Sequence, residues 1–307
     1  MVKKHSYRSL TWIDVESPNA EEVSSLVKEY RLHPILGEEL IEKSIKPRFE
    51  IYNNCIYIVL HFPIRTQIKD KHFIIEKEVD FIIGKDYIIT TKYDAIEPLH
   101  NFSKIFEVNS IIDKSDFGDN AGVLFYYMLK RMYKNLSNDL EKIKEELTRI
   151  ENKIFVGKEK EMVVKISHSA REIIDFHQIV RPHKEIIKNV SDANLVPLFG
   201  PNFKYYIEDI HSLLHKIQEM TTDNKELLTD LRETNDSLLS TKQNETMKML
   251  TLMAFITFPL SLIVAIFSLN TTHVPIVGQP YDFEMILGIL IAIALTIVLL
   301  SKRKDWM

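Results

Sequence analysis

Apolar residues are distributed unevenly along this chain and are concentrated at its C-terminal end. Residues 249–267 contain no charged side chain, and neither do residues 285–300. A helix that crosses a membrane needs about 20 mostly apolar residues, and Phe283 and Ser301 extend the shorter run. The pattern predicts two transmembrane helices, at about 247–267 and 283–301. The alternative, a pair of buried core helices, is disfavoured because neither run has a charged face.

A long polar stretch precedes the first apolar run. Residues 202–258 contain neither glycine nor proline, and as one helix they would extend about 85 Å. Two seven-residue repeats are visible in this stretch, and their spacing is typical of helices that pack by knobs-into-holes contacts. The helix could associate with other helices through these positions or pack on its own domain. The first seam is Ile210, Ile217, Asn224, Leu231 and Leu238, and the second is Tyr206, Leu213, Met220, Leu227 and Thr234.

The remainder of the chain predicts a mixed α+β region followed by long helices. Strand-like runs occur at 9–15, 51–60 and 72–83, and residues 81–89 predict a hairpin that turns at Gly84. Ser17 and Pro18 are typical of a helix N-cap and first helical position. Residues 123–156 and 158–181 lack glycine and proline and predict an antiparallel helical pair that turns near Gly157. We therefore expect an α/β domain at 1–118, a long-helix stalk at 119–246 and a transmembrane domain at 247–307.

Charge and cysteine content exclude several classes of protein. The chain of 307 residues has 39 basic and 43 acidic residues, a net charge of −4, so no nucleic-acid partner is expected. The single cysteine, Cys55, excludes an intrachain disulfide. The basic cluster Lys302-Arg303-Lys304, followed by Trp306, places the C-terminus in the cytoplasm by the positive-inside rule. Two spans then place the N-terminus in the cytoplasm as well. The sequence thus predicts a protein of the cell membrane, which is the inner membrane where a cell has two.

The link between the two spans has no lysine or arginine but carries Asp282 and Glu284. An acidic mouth of this kind raises the local concentration of cations. The first span also has a stripe of small and polar residues on one face, which suits either close helix packing or a pore lining. Phe258 and the neighbouring Leu250 are bulky enough to form an apolar gate in such a pore. The stripe consists of Asn244, Met247, Thr251, Ala254, Phe258, Ser261, Ala265 and Ser268.

Several segments resemble the CorA-type magnesium transporters, a family of two-span metal-ion transporters. They are Thr11-Trp12-Ile13-Asp14-Val15, Pro47-Arg48-Phe49-Glu50, the run 244–251 and Phe258-Pro259-Leu260-Ser261. The resemblance implies a homopentamer in the lipid bilayer, with a funnel-shaped cytoplasmic part and a pore lined by the first span. It also implies Mg²⁺ influx, gated by Mg²⁺ inside the cell.

The resemblance assigns individual residues as well. The family signature Gly-Met-Asn corresponds here to Ser268-Leu269-Asn270, which implies a selectivity filter at the outer mouth. If the glycine position needs a positive φ, Ser268 is strained there. By the ungapped match, Asp209 and Glu233 fall at positions that bind regulatory metal between subunits, and Asp70 is a possible partner.

Other functions remain open from the sequence. His211 and His215, one turn apart and close to Glu208, have a spacing that can bind Zn²⁺, so a transporter of zinc or of another transition metal such as Co²⁺ or Ni²⁺ is an alternative. A non-transporting membrane scaffold or sensor is another. No glycine-rich phosphate loop and no His-Glu-x-x-His motif occurs, and an enzyme is not expected.

Overall fold

A computed structural model describes residues 1–69, 71–112, 120–269, 276–278 and 280–303 of the chain. The strands are β1 (Val2–Tyr7), β2 (Leu10–Glu16), β3 (Arg48–Ile51), β4 (Ile56–Ile68), β5 (Lys71–Ile83) and β6 (Tyr87–Lys92). The helices are α1 (Ala20–Glu29), α2 (Pro34–Glu39), α3 (Glu97–Ile112), α4 (Ala121–Phe155), α5 (Glu159–Val180), α6 (His183–Asp192), α7 (Val196–Phe199), α8 (Phe203–Phe267) and α9 (Asp282–Arg303).

The six strands form one mixed sheet in the order β1-β2-β6-β5-β4-β3. Strands β2 and β6 are parallel, and all other neighbours are antiparallel. The predicted hairpin at Gly84 is confirmed, since Ile83 pairs with Ile88 across the turn. Strands β4 and β5 form a hairpin of 13 residues on each side, so the strand predicted at 51–60 begins and ends later than expected.

The first helix begins differently from its prediction. Asn19, not Ser17, is the N-cap of α1: its side chain accepts a hydrogen bond from the Glu22 N–H, and Glu22 reaches back to the Asn19 N–H. This reciprocal capping box satisfies two backbone donors at once. Ser17 instead forms a turn with φ +48°, held by hydrogen bonds from its N–H and hydroxyl to Lys92 and Tyr93.

The sheet is covered on both faces. On one face Tyr57, Val59 and Ile82 pack in a buried cluster with residues of α1 and α2 such as Leu26 and Leu36. On the other face the rings of Phe81 and Phe62 contact Phe125 and Tyr133 of α4 at centroid distances of 5.2 and 6.2 Å. This is a three-layer arrangement in which the long helices lie on one side of the sheet.

The predicted helical pair at Gly157 is also confirmed. Helices α4 and α5 are joined by three residues, and Gly157 has a φ of +87°, which glycine adopts without steric cost. Arg65 of β4 binds Glu146 on α4 and Glu172 on α5, 11 and 15 residues from Gly157. Glu146 and Glu172 lie at similar distances from the turn on the two helices, and both bind Arg65. This is the arrangement expected of an antiparallel pair.

Helix α8 runs parallel to α4 in the part that packs on the α+β region. The Tyr126 hydroxyl donates to Asp209, and the Asn224 side-chain amide donates to the Leu140 carbonyl. The number of residues that separates the two partners is almost the same in both contacts. Contacts further along α4 are therefore also further along α8, and the two helices point in the same direction. Four residues of the first predicted seam are buried in this single chain: Ile210, Ile217, Asn224 and Leu231.

The second predicted seam is not the one that packs on the chain's own domain. The buried partners of the first seam are Ile207, Leu214, Thr221 and Leu228, whereas Tyr206, Leu213, Met220, Leu227 and Thr234 are half-exposed. Both sets satisfy the three- and four-residue spacing, and contacts with α4 decide between them. The aromatic ring of Tyr206 contacts the ring of Tyr126 at the margin of the helix interface, 4.8 Å between centroids.

By its internal contacts the chain divides into two compact units, Met1–Arg232 and Glu233–Met307. The first unit contains the sheet, α1–α7 and the N-terminal part of α8. The second contains the rest of α8 and α9. The finer division at residues 118 and 246 stays a prediction.

Candidate ion pathway

The C-terminal part of α8 has two chemically different sides. The predicted stripe from Asn244 to Ala265 is exposed throughout, and Phe258 is the most exposed of its large apolar residues, at 79%. At about 100° per residue, the half-buried residues lie on the opposite side of the helix: Leu252, Ile256, Pro259, Leu260, Ile263 and Phe267. The small and polar stripe is therefore part of the side that is open to further packing or to solvent, together with the exposed apolar residues Phe255 and Leu262.

Hydroxyl groups of the stripe are fixed by the backbone of their own helix. The Thr251 hydroxyl donates to the Met247 carbonyl at 2.8 Å, and the Ser268 hydroxyl donates to the Val264 carbonyl at 2.8 Å. Because each proton is used inside the helix, each oxygen presents only lone pairs to the outside. Water molecules around a cation point their hydrogens outward, so these oxygens suit a hydrated cation.

Ser268 shows no backbone strain. Its N–H donates to the Val264 carbonyl at 3.0 Å, which continues the helical pattern, and its φ is not positive. The penalty expected for a serine in the left-handed region does not arise at this position. Leu269 is exposed, and Asn270 lies outside the described residues.

The acidic residues before α9 have different surroundings. The Asp282 carboxylate accepts a hydrogen bond from the Gly278 N–H at 3.1 Å, so it orders the turn as well as carrying charge. Glu284 is exposed in the first turn of α9, where a negative charge is favoured by the helix dipole.

Asp209 is already engaged within its own chain. Its Oδ2 atom accepts a hydrogen bond from the Tyr126 hydroxyl at 2.6 Å and lies 3.0 Å from the Lys130 ammonium. The hydrogen bond from Tyr126, together with Lys130, lowers the pKa of Asp209 below its usual value. Nothing in the sequence pairs Asp209 with these partners, although Tyr126 and Lys130 are one turn apart on α4 and share one face of it.

The other predicted metal ligands are not brought together in one chain. Glu233 is exposed on α8, and Asp70 lies outside the described residues. Glu208 faces Lys204, at 3.8 Å, and His215 faces Glu219, at 3.4 Å. Among the described residues, no group of three or more His, Cys, Asp or Glu side chains converges on a metal position. Within one chain, His211 and His215 thus have no third ligand of these types among the described residues, and the zinc alternative stays a prediction.

Two helices of the described chain, α8 and α9, are long and apolar enough to cross a membrane. No residue of their most apolar windows is buried, unlike the core helix of a soluble protein. This pattern favours the membrane interpretation of the sequence over the buried-core alternative.

Comparison with known proteins identifies the family. Residues 7–303 match the family described as CorA-like Mg²⁺ transporter protein. The cobalt/magnesium transport protein CorA of Thermotoga maritima is 24% identical over 301 residues, which cover 97% of this chain and 83% of the relative. The protein with the same description from Methanocaldococcus jannaschii is 22% identical over 297 residues, covering 97% of this chain and 91% of that one.

A solved structure shows the same fold. The complete structure of the CorA magnesium transporter from Methanocaldococcus jannaschii superposes with a TM-score of 0.84 at 21% identity, covering 99% of this chain and 94% of that one. The family match and the two apolar helices define a membrane protein of the metal-ion transporter class. The chain belongs to the CorA-like Mg²⁺ transporter family, and its function is transport of divalent metal cations, mainly Mg²⁺, across the membrane.

Proposed function

We propose that five copies of this chain form a passive channel for hydrated Mg²⁺, lined by the exposed stripe of α8. The observation that carries the proposal is the position of the stripe on the side of α8 opposite its half-buried residues. A helix whose small and polar side is left uncovered can line a path shared with other copies. The homopentamer itself comes from the family resemblance.

Mg²⁺ loses its water shell reluctantly, so a selective path has to recognise the hydrated ion. The lone pairs of Thr251 and Ser268 are suited to accept hydrogen bonds from ion-bound water. We assign the filter to Ser268, Leu269 and Asn270, where five Asn270 amide oxygens would form a ring. We assign the mouth that attracts cations to Asp282 and Glu284. Co²⁺, which appears in the names of both relatives, is a second transported ion in this proposal.

Closure of the channel is assigned to two separate features. Leu250 and Phe258 form the apolar gate. Five copies of a bulky apolar side chain around a narrow pore expel water from it. Asp209, Glu233 and Asp70 sense Mg²⁺ inside the cell at interfaces between copies. Support for a shared site is that Glu233 is exposed and Asp209 is about half exposed, so that carboxylates from neighbouring copies can share one ion.

The proposal also fixes the orientation in the inner membrane. Lys302 and Arg303 end α9, and basic residues after a span favour the cytoplasmic side. Both termini and the unit Met1–Arg232 are then cytoplasmic, and the filter faces outward.

Uptake of Mg²⁺ into proteoliposomes tests the proposal. We expect uptake that needs no proton gradient and is blocked by hexaamminecobalt, a mimic of fully hydrated Mg²⁺. Asn270→Ala should abolish uptake, and Ser268→Gly should preserve it. Native mass measurement of the same samples should give a pentamer. A dimer would contradict the assembly.

Two results would favour other functions. Uptake of Zn²⁺ driven by a proton gradient, without Mg²⁺ uptake, would support a zinc transporter. If flux appears only after Ser268→Gly, the parent chain is a scaffold or sensor. An Asn270→Ala variant that assembles and transports at the parent rate would remove Asn270 from the filter.

A further inference from the structure

Three titratable side chains are buried together on the face of the sheet that also carries α1 and α2. His61 belongs to β4, and Glu78 and Asp80 belong to β5. Their exposures are 5%, 7% and 0%. His61 and Glu78 are paired across the two strands, and Asp80 follows Glu78 by two residues, which places both carboxyl groups on the same face. The sheet thus buries one imidazole and two carboxyl groups side by side.

Glu78 connects this cluster to the loop between α2 and β3, residues 40–47. Both oxygens of its carboxylate accept the Ser44 N–H, at 3.0 and 2.9 Å. At the exposed margin of the same loop, the Tyr93 hydroxyl donates to the Glu42 carbonyl at 2.7 Å, and Lys43 pairs with Asp94 at 2.9 Å. The contact between Ser44 and Glu78 therefore fastens the middle of the loop to the buried cluster.

His61 lies between two carboxylates and is placed to carry a positive charge. Its Nδ1 atom is 2.6 Å from Glu76 and its Nε2 atom is 3.6 Å from Glu78. A neutral imidazole has one nitrogen without a proton, and that lone pair would face a carboxylate. Burial lowers the pKa of His61, but the bonds to Glu78 and Glu76 raise it more, and the result lies above the usual value.

Asp80, in contrast, is placed to be neutral. Its Oδ2 atom accepts a hydrogen bond from the Thr91 hydroxyl at 2.7 Å, whereas its Oδ1 atom is buried with no hydrogen-bond partner among the described residues. A buried carboxylate oxygen without a donor is unfavourable, and the charge of Glu78 adds repulsion. Burial and Glu78 together raise the pKa of Asp80 well above its usual value. Asp80 thus retains a proton that an exposed aspartate would have lost.

Neighbouring elements surround the cluster with further charged and titratable groups. Burial raises the pKa values of Tyr57 and Tyr93 and lowers that of His183 to about 4, so these three stay neutral near pH 7. We assign the change of charge above about pH 6.5, the usual pKa of histidine, to His61 and Asp80. The surrounding groups are Glu39 of α2, Glu42 and Lys43 of the loop, Arg48 of β3, Tyr57 of β4, Glu76 of β5, Tyr93 and Asp94 after β6, and His183 of α6.

We propose that His61, Glu78 and Asp80 form a proton-dependent latch, which holds residues 40–47 on the sheet at low pH and releases them as the pH rises. Loss of the His61 proton to solvent leaves Glu78 as a buried charge without a cation. Loss of the Asp80 proton places a second buried negative charge beside it. Glu78 then gains by turning to water, which breaks its hydrogen bonds to Ser44. The latch requires neither ion conduction nor assembly of several copies.

Hydrogen exchange of the full chain in detergent, measured between about pH 6 and 8.5, tests the latch. Each exchange rate is divided by that of the unfolded chain at the same pH, so that the ratio reports opening alone. The closed loop binds more protons than the open one. We therefore expect protection of residues 40–47 to fall by up to about ten-fold per pH unit for each proton released. Helix α4 should keep its protection.

Two substitutions should change this behaviour in opposite directions. In Glu78→Gln the side-chain oxygen can still accept the Ser44 N–H but carries no charge, so the loop should stay protected up to about pH 8.5. In His61→Gln the side chain is neutral at every pH, so protection should already be low at about pH 6. Glu29→Gln is the control, since Glu29 is an exposed carboxylate that pairs with Lys4 at 2.9 Å, and it should behave as the parent.

Several outcomes would overturn the latch. Protection of residues 40–47 that is independent of pH in the parent would show that no proton controls the loop. If Glu78→Gln loses protection with pH as the parent does, other groups titrate. If Glu78→Gln is unprotected at every pH, the charge of Glu78 itself stabilises the closed loop. An equal loss of protection in α4 would show global unfolding in place of a local opening.

Discussion

The Lys130 ammonium lies 3.0 Å from the Asp209 carboxylate, within the same chain and on the neighbouring helix. The Tyr126 hydroxyl binds the same oxygen of Asp209 at 2.6 Å. If Asp209 binds regulatory Mg²⁺ as proposed, the metal has to compete with a cation that the chain itself supplies. The pair is about half exposed, so the competition is modest.

Removing this internal cation should sensitise the channel to Mg²⁺ inside the cell. We expect Lys130→Met to lower the internal Mg²⁺ concentration that halves uptake by about two- to five-fold, the range that an exposed ion pair provides. The measurement is initial uptake into proteoliposomes loaded with graded Mg²⁺. Lys134→Met, an exposed lysine one turn further along α4, is the matched control. An unchanged or higher half-inhibiting concentration for Lys130→Met would separate Lys130 from regulation.

Leu250 and Phe258 should limit conduction in the closed state. Replacing either with Ser keeps the helix but makes the constriction wettable, so we expect Leu250→Ser and Phe258→Ser to raise uptake several-fold at high internal Mg²⁺. Ile256→Ser, on the half-buried side of α8, should not raise it. Unchanged uptake in both gate variants would exclude these residues as the gate.

Local signals in the sequence predicted much of this fold correctly. These signals are local. The glycine at the hairpin turn and the glycine between α4 and α5 each determine the conformation of a few residues, and the long stretch without helix breakers allows one helix to continue. The second set of buried positions on α8 was not predicted, because Tyr206 and Ile207 both satisfy helical spacing and only the contact with α4 determines which of them is buried. Asn19 was missed because two capping residues, Ser17 and Asn19, compete within three positions.

The surroundings of the candidate site could not be predicted in the same way. Asp209 and Lys130 are 79 residues apart in sequence, and their contact depends on the parallel offset between α4 and α8. By contrast, the exposed stripe of α8 was identifiable because all its members belong to one helix. The spacing of residues within one helix or strand can be read from the sequence, whereas the alignment of one helix with another depends on tertiary packing.

His183 should make the stability of the first unit depend on pH. Its ring is fully buried: Nε2 lies 2.7 Å from the His61 carbonyl and Nδ1 lies 3.1 Å from the Tyr133 hydroxyl. A carbonyl can only accept, so Nε2 carries the proton of the neutral ring, and Nδ1 is free to accept a hydrogen bond from the Tyr133 hydroxyl. Burial lowers the pKa of His183 to about 4, below the value of about 6.5 for an unfolded chain.

The sign of this effect follows from proton binding. Between pH 6.5 and 4 the unfolded state binds a proton that the folded state excludes, so the contribution of His183 is present above pH 6.5 and is lost as the pH falls, up to about 3 kcal/mol. Gln can replace both hydrogen bonds without titrating. We therefore expect the melting temperature in detergent to fall less steeply with acidification for His183→Gln than for the parent. Parallel curves would contradict a neutral buried His183.

Arg65 connects β4 to both long helices. Its guanidinium donates to Glu146 at 2.6 Å and to Glu172 at 3.0 Å, and the side chains of Arg65 and Glu172 are 7% and 6% exposed. Burial raises the pKa of Glu172 even though Arg65 opposes the shift. Arg65→Met should therefore destabilise the fold by about 3 to 5 kcal/mol, because Glu172 keeps a buried charge without its partner.

The second substitution at the same contact makes this prediction specific. Changing Glu172 to Leu in the Arg65→Met background removes the stranded charge, so the double variant should recover most of the lost stability. The loss in the single variant should also be smaller at pH 5 than at pH 8, because a carboxyl with a raised folded-state pKa is protonated at little cost in acid and destabilises the fold as the pH rises. Denaturant unfolding of the full chain in detergent measures both effects. A double variant no more stable than Arg65→Met alone would show that packing of the arginine, and not its charge, stabilises the contact between β4, α4 and α5.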